Sequence, residues 1–378
     1  MGPNVKRQKF AIIKQVLSEI ERLTGRKVPI KLDAFVRQFY ANSSLQDMAE
    51  KEVTALAGEA ASIWSFLQHL KSGETKVRVF NPDLSKHGWE SNRTTLEVIS
   101  SDMPFLVDSV TAKLSQIGII VHMVTHPIVR VCRDAKGKLK DIVKGQSTDD
   151  GVTNESLLSF EISQQATSAK RNELQATIKS VLDDVRFAVE DWRAMRERVL
   201  QIITELKVID TQGAGGDIVE AEDFLQWAHD NNFTFLGYRD YNFKGTGAKA
   251  KVHVDPKTGL GILRDSKRLV LNELRHLDFM PTEVRSFINR PDPIVVSKAD
   301  MRSTVHRPVL LDTIGIKKFN AAGKVVGQHL IVGLFTSVAY NSSPRDIPLL
   351  RRKIDKTIVR TGFPPSGHDG KALMNILE

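Results

Sequence analysis

One cysteine, Cys132, stands in 378 residues, so no disulfide can close within the chain and no cysteine-built zinc site can form. Apolar runs long enough to cross a bilayer, ~18 residues, are also missing, which excludes a helical membrane anchor. The N-terminal stretch from Met1 to Phe10 is basic, but Lys14, Glu19 and Glu21 interrupt the apolar residues behind it, so it reads as a helix rather than a signal peptide. A reducing cytoplasm fits these absences. Clustered charge of one sign is lacking too. The chain carries 54 Lys and Arg against 45 Asp and Glu, a net +9, yet the two signs alternate. Its densest basic run, Arg351-Arg352-Lys353, is flanked by Asp346 and Asp355 and reads as a solvated helix face, so no nucleic-acid partner is expected.

Catalytic signatures are equally scarce. Residues 245–250 satisfy the G-x-G-x-x-A spacing, but a dinucleotide loop must open a helix, and the following Lys251-Val252-His253-Val254 reads as a strand. Residues 213–218 precede a helix but end on Ile218 instead of a small residue. No Gly-Lys pair is followed by Ser or Thr, and no serine sits in a G-x-S-x-G elbow. His122 and His126 have helical metal-ligand spacing in a β-branched run, where they would stand ~13 Å apart. His253, His306 and His329 read as isolated structural strand residues. No catalytic residue, cofactor site or metal site is expected within the chain.

What is present is a change of pattern along the chain. A length of 378 residues calls for more than one core, and three stretches are expected: a helical region over 1–75, an α+β domain over 76–210, and a second mainly antiparallel α+β domain over 211–378. In the first, Phe10, Ile13, Leu17 and Ile20 share a helical face; Leu32, Phe35, Val36 and Phe39 begin a second helix, and Leu45 to Leu70 read as a third, capped through Ser44 and Asp47. In the second, strand segments near residues 77–80, 94–100, 119–131 and 156–163 alternate with a helix through Leu106, Val110, Leu114 and Ile117. This order suits an antiparallel sheet with helices on one face. Its closing helix carries an unbroken heptad seam through Leu174, Ile178, Val181, Val185, Ala188, Trp192, Met195, Val199, Ile202 and Leu206. If continuous, it would be ~50 Å long, a link between domains or a contact between subunits. In the third stretch, residues 211–217 form a Gly-rich linker, strands follow a Trp-bearing helix, and a helix from Pro348 to Thr361, stopped by Gly362, presents Leu350, Ile354 and Ile358 to the sheet.

Six segments carry a resemblance: residues 80–83 (FNPD), 87–98 (HGWESNRTTLEV), 101–110 (SDMPFLVDSV), 223–241 (DFLQWAHDNNFTFLGYRDY), 345–353 (RDIPLLRRK) and 366–373 (SGHDGKAL). Together they resemble the N-terminal regulatory half of the large NAD-specific glutamate dehydrogenases of bacteria. The resemblance implies an ACT-like module followed by a PAS-like one. The dehydrogenase fold and its NAD would lie in a downstream catalytic domain, and the whole would be a homo-oligomer. It also implies an amino-acid effector. The site expected for it is Ser101, Asp102, Met103, Pro104, Phe105 and Leu106, where a helix start could receive a carboxylate while Asp102 pairs with the ammonium. One departure from the sensing pattern is Phe105, where such modules usually place a glycine, so the alternative is a degenerate module that packs or oligomerises without binding a ligand.

Overall fold

The computed structural model describes residues 3–143, 151–209, 215–245, 251–265, 267–268, 270, 292–364 and 366–377. The chain divides into two compact units, Met1–Asp183 with Thr304–Arg307, and Asp184–Ser303 with Pro308–Glu378. Each is an antiparallel sheet with helices packed on it, an α+β fold.

The first unit begins with helices α1 (Pro3–Thr24), α2 (Ile30–Phe39), α3 (Leu45–Ala49) and α4 (Val53–Leu67). On α1 the buried set is Ile13, Val16 and Ile20, whereas Phe10 stays at the surface beneath Lys14 and Arg37. The single helix expected over 45–70 is broken after Ala49. Ser44 does cap α3 by accepting from the Asp47 amide at 2.9 Å, but Glu52 is extended (ψ 142°) and starts α4 afresh. The break brings Lys51 to Glu59, at 2.5 Å, and to Glu161. Ion pairing of a part-buried lysine outweighs three residues of helix propensity here.

The sheet follows: β1 (Lys76–Phe80), the short α5 (Leu84–His87), β2 (Thr94–Ser101), α6 (Leu106–Gln116), β3 (Val121–Thr125), β4 (Ile128–Arg133), β5 (Leu139–Ile142) and β6 (Val152–Ile162). Its order is β1-β2-β6-β4-β5, with β3 also on β6. The run over 119–131, read as one strand, is two, because Pro127 has no N–H for the ladder and separates β3 from β4. Ile99, Val129, Val131 and Leu157 share a core with Val16, Phe35 and Ile63 of the N-terminal helices. Alternation along a strand sends Leu96, Val98, Leu158 and Phe160 to the opposite face, and these are buried as well. The N-terminal helices thus cover one face of the sheet.

The heptad segment forms α7 (Ser168–Glu190) and α8 (Trp192–Lys207) rather than one continuous helix. At the break, the Asp191 carboxylate accepts from the Gly261 amide at 2.7 Å and from Arg264 Nε at 2.6 Å. Leu174, Ile178 and Val181 are buried in the first unit, and Val185, Ala188, Met195, Val199, Ile202 and Leu206 in the second. Trp192 alone of the seam is substantially exposed, at 44%.

The second unit continues with α9 (Gly215–Trp227), a π-turn over Ala228–Asn232, and strands β7 (Phe233–Lys244), β8 (Lys251–Val254), β9 (Leu260–Gly261), β10 (Ile294–Arg302), β11 (Leu310–Phe319) and β12 (Val325–Phe335). The sheet order β10-β11-β12-β7-β8 puts the first strand between the second and the last, with β9 also on β7. Val199 and Ile202 of α8 and Phe224 and Leu225 of α9 pack with Phe235, Ile314 and Ile331 of the sheet. Helices α10 (Ser337–Asn341), α11 (Leu350–Thr361) and α12 (His368–Leu377) complete the unit. Gly362 ends α11 in the left-handed region (φ 68°), as expected. Of the three residues expected to face the sheet, Ile354 is buried, Ile358 half-buried, and Leu350 39% exposed. Of the Gly-rich linker, residues 211–214 lie outside the described residues.

Candidate functional site

The expected effector loop lies between β2 and α6. Pro104 does not enter the helix; Phe105 is the N-cap and adopts φ 72°, in the left-handed region that favours glycine. That backbone geometry supplies a physical reason for glycine at this place in sensing modules, since a β-carbon there costs ~1–2 kcal/mol. Leu106 is buried and anchors the helix start. Ser101, Asp102 and Pro104 are exposed, and Met103 is half-buried.

Asp102 is held firmly although it is exposed. Its amide donates to Asn154 O at 2.9 Å, and its Oδ1 accepts from Ser156 Oγ at 2.6 Å. His126 Nε2 lies 3.1 Å from the same Ser156 Oγ, and burial lowers the His126 pKa below its usual value, partly opposed by the Asp102 charge. Sequence reasoning found neither Ser156 nor His126 as partners of the loop, because they lie 54 and 30 residues apart from their contacts. A serine beside a histidine invites a nucleophile reading, but the arrangement does not support one. Both Asp102 and His126 converge on Oγ, so the aspartate does not orient the far side of the imidazole. Ser156 is also fully buried. His126 further lines a cavity of about 330 Å³ with Tyr40, Lys51, Glu59, Thr125 and Pro127.

Still within the first unit, His306 reaches the same helix start. Its amide donates to Ser109 Oγ at 2.9 Å, its Nδ1 lies 3.0 Å from Asp108 Oδ2, and its ring packs on Phe105 at 5.0 Å between centroids. His306 is therefore neither isolated nor on a strand. It sits in a loop at φ 65°, a second non-glycine residue in the left-handed region beside the first.

His329 of the second unit is not isolated either. It is buried between two carboxylates, with Nδ1 2.8 Å from Asp240 Oδ1 and Nε2 3.3 Å from Glu205 Oε2. Tyr238 donates to Asp240 as well, and Arg198 bridges Tyr238 OH (2.8 Å) and Glu205 (2.7 Å). Hydrogen bonds from His329 and Arg198 hold the Glu205 carboxyl down at about 2, and although burial opposes it, the same histidine, Tyr238 and Lys318 hold Asp240 far below the usual carboxylate range. Tyr238 and Asp240 of this cluster come from the 223–241 segment. Gly237 is required there because a β-carbon would fall 2.9 Å from Leu263 and Val332, and the buried Arg239 donates to the Leu263 and Arg268 carbonyls.

The 345–353 segment meets the start of the 223–241 segment: Arg351 reaches Asp223 and, just ahead of it on α9, grips Glu220 at 2.9 Å through both Nε and NH2. His87 and Trp89 close an aromatic cluster on Phe80, and Gly58 of α4 makes room for the indole. These resemblances are thus carried by packing.

The flanks of residues 245–250 lack the strand-to-helix form that a dinucleotide loop requires. Gly245 (φ 83°) follows β7 and Lys251 opens β8, so the flanks of the G-x-G-x-x-A spacing are paired antiparallel strands, with no helix start to receive a pyrophosphate. Residues 246–250 themselves lie outside the described residues. Among the described residues no cluster of His, Cys, Asp and Glu could hold a metal ion, and no helix is long and apolar enough to cross a membrane.

Fold and site together define a two-module α+β protein with a polar helix-start loop on its first sheet. By comparison with known proteins, the chain is similar to a part of the NAD-specific glutamate dehydrogenases. Residues 35–178 match the glutamate dehydrogenase ACT1 domain, and residues 347–378 match glutamate dehydrogenase helical motif 1. The chain is 33% identical over 372 residues to the NAD-specific glutamate dehydrogenase of Halomonas elongata, covering 97% of this chain and 23% of that protein. To the enzyme of the same name from Pseudomonas aeruginosa it is 32% identical over 364 residues, 96% of this chain and 22% of the relative. The Mycobacterium tuberculosis protein is 24% identical over 317 residues, 82% of this chain and 18% of the relative. The chain therefore spans less than a quarter of the length of these relatives.

Proposed function

We propose that this chain is a regulatory segment of a cytoplasmic NAD-specific glutamate dehydrogenase, itself without catalytic residues, acting on a downstream catalytic domain that oxidatively deaminates L-glutamate to 2-oxoglutarate and ammonium. Its three stretches, 1–75, 76–210 and 211–378, serve as a helical cover, an ACT-like sensor and a PAS-like module, and the heptad seam acts as a mechanical link. The ligand is an amino acid, received at Ser101–Leu106.

The observation that carries this reading is the fixed presentation of Asp102. Ser156 and the Asn154 carbonyl hold it in the loop that leads into α6, so its carboxylate and the opening amides of that helix offer opposite charges for ammonium and carboxylate. A regulator must bind one state of the parent better than the other, and coupling of about 1–3 kcal/mol would change substrate affinity roughly 5- to 150-fold. The test is Asp102→Ala in the intact protein, scored as the ratio of turnover with and without each amino acid. Loss of the response supports the loop, and an unchanged response removes it. Sedimentation of the same variants separates sensing from mere assembly: self-association with no amino-acid response would favour a scaffold in a homo-oligomer.

A further inference from the structure

The second unit contains a cavity that is independent of the loop and of the reading above. It measures about 550 Å³ and is walled by Phe224, Trp227, Ile294, Val296, Phe335 and Leu350. That size falls within the range of small-molecule sites, as does an apolar wall broken by a few polar groups. One side of its mouth is formed by α11, which contributes Arg352, Lys353 and Lys356; Asp217 and Asp292 complete the polar rim. Arg352 is neutralised by its ion pair with Asp217. Lys353 and Lys356 are three residues apart on α11, both are exposed, and neither forms an ion pair among the described residues. Two positive charges therefore face an aromatic chamber whose acidic rim groups number one after pairing.

We propose that this cavity binds a small apolar monocarboxylate, with an aromatic or branched body against Trp227 and Phe335 and its carboxylate at Lys353 and Lys356. Because residues 347–350 and the first turns of α11 supply part of the wall, an occupant would also hold that helix against the sheet. A neutral or cationic ligand of the same shape would gain the apolar contact without the ion pairs.

Calorimetric titration of the intact protein with 3-phenylpropionate, 3-phenylpropanol, 3-phenylpropylamine and L-phenylalanine tests the proposal. Phenylpropionate should bind saturably and about tenfold or more tighter than the amine, with the alcohol between. Tighter binding of phenylalanine than of phenylpropionate would assign the site to an amino acid, with Asp292 as the ammonium partner, and would overturn the monocarboxylate. Lys353→Gln with Lys356→Gln, both at the surface, should weaken phenylpropionate by about threefold or more and leave the alcohol unchanged. Trp227→Leu should weaken all three phenylpropyl probes together. Absence of saturable binding, or equal affinity for acid and amine, would overturn it. Asp102→Ala should leave this binding untouched, so failure here and failure at the loop are distinguishable.

Discussion

The two units bury charge in opposite ways. In the first, carboxylates crowd one face of the sheet: Glu97 is fully buried with Arg78 as its partner, and Glu59 and Glu161 share Lys51. Burial pushes Glu97 up to about 7 despite Arg78, and burial raises Glu59 too against the pull of Lys51, whereas Glu161, with Arg93 as a second partner, lies below its usual value although burial opposes it. In the second unit, Asp240 meets His329, Tyr238 and Lys318 at once and is strongly depressed. The carboxylates with several donors are held down, whereas those with one cationic partner are raised by their deeper burial.

This contrast can be broken most forcefully by removing a partner. Arg133 and Glu155 form a bidentate pair in the first unit at 2.5 and 2.7 Å, both almost buried. Arg133→Met should cost about 3–5 kcal/mol by leaving Glu155 without its charge partner. In the second unit Lys318→Met should cost only about 1 kcal/mol, because Asp240 keeps Tyr238 and His329. Denaturant titration of each variant measures both, and equal losses would end the comparison.

Acidity gives a smaller, signed effect. Glu97 binds its proton more tightly folded than unfolded, so its contribution to stability is complete below about 4.5 and is lost as the pH rises towards about 7. Glu205 is the reverse: its contribution is complete above about 4.5 and is lost as the pH falls towards about 2. Glu97→Gln should flatten the neutral-side slope and leave the acid limb alone, as followed by thermal melts across pH. A slope unchanged by that substitution would assign the proton elsewhere. Smallest of all, Phe105→Gly should change stability by about 1 kcal/mol or less, since relief of the left-handed strain offsets the lost contact with His306.

Periodicity made most of the fold legible. Leu106, Val110 and Leu114 are buried on α6 as their spacing required, whereas Ile117, at its C-cap, is exposed; the strands at 94–101, 233–244 and 325–335 follow their β-branched and aromatic runs. What failed to show was anything decided by distant charge. The break at Lys51 depends on Glu161, and the break at Asp191 depends on Gly261 and Arg264, each far along the chain. Phe10 looked like core because helical spacing marks a face without saying which edge of it solvent reaches. The candidate loop was legible as Asp102 next to a helix start, but its supports, Ser156, His126 and His306, were not. No local pattern distinguishes a histidine beside a serine across a sheet from one facing solvent.

Amide hydrogen exchange in the intact protein, with and without amino acids, tests the central claim most directly. An activating amino acid should slow exchange at Leu106, Val107 and Asp108, and Asp102→Ala should abolish this protection. Activation accompanied by no change at these amides would contradict it.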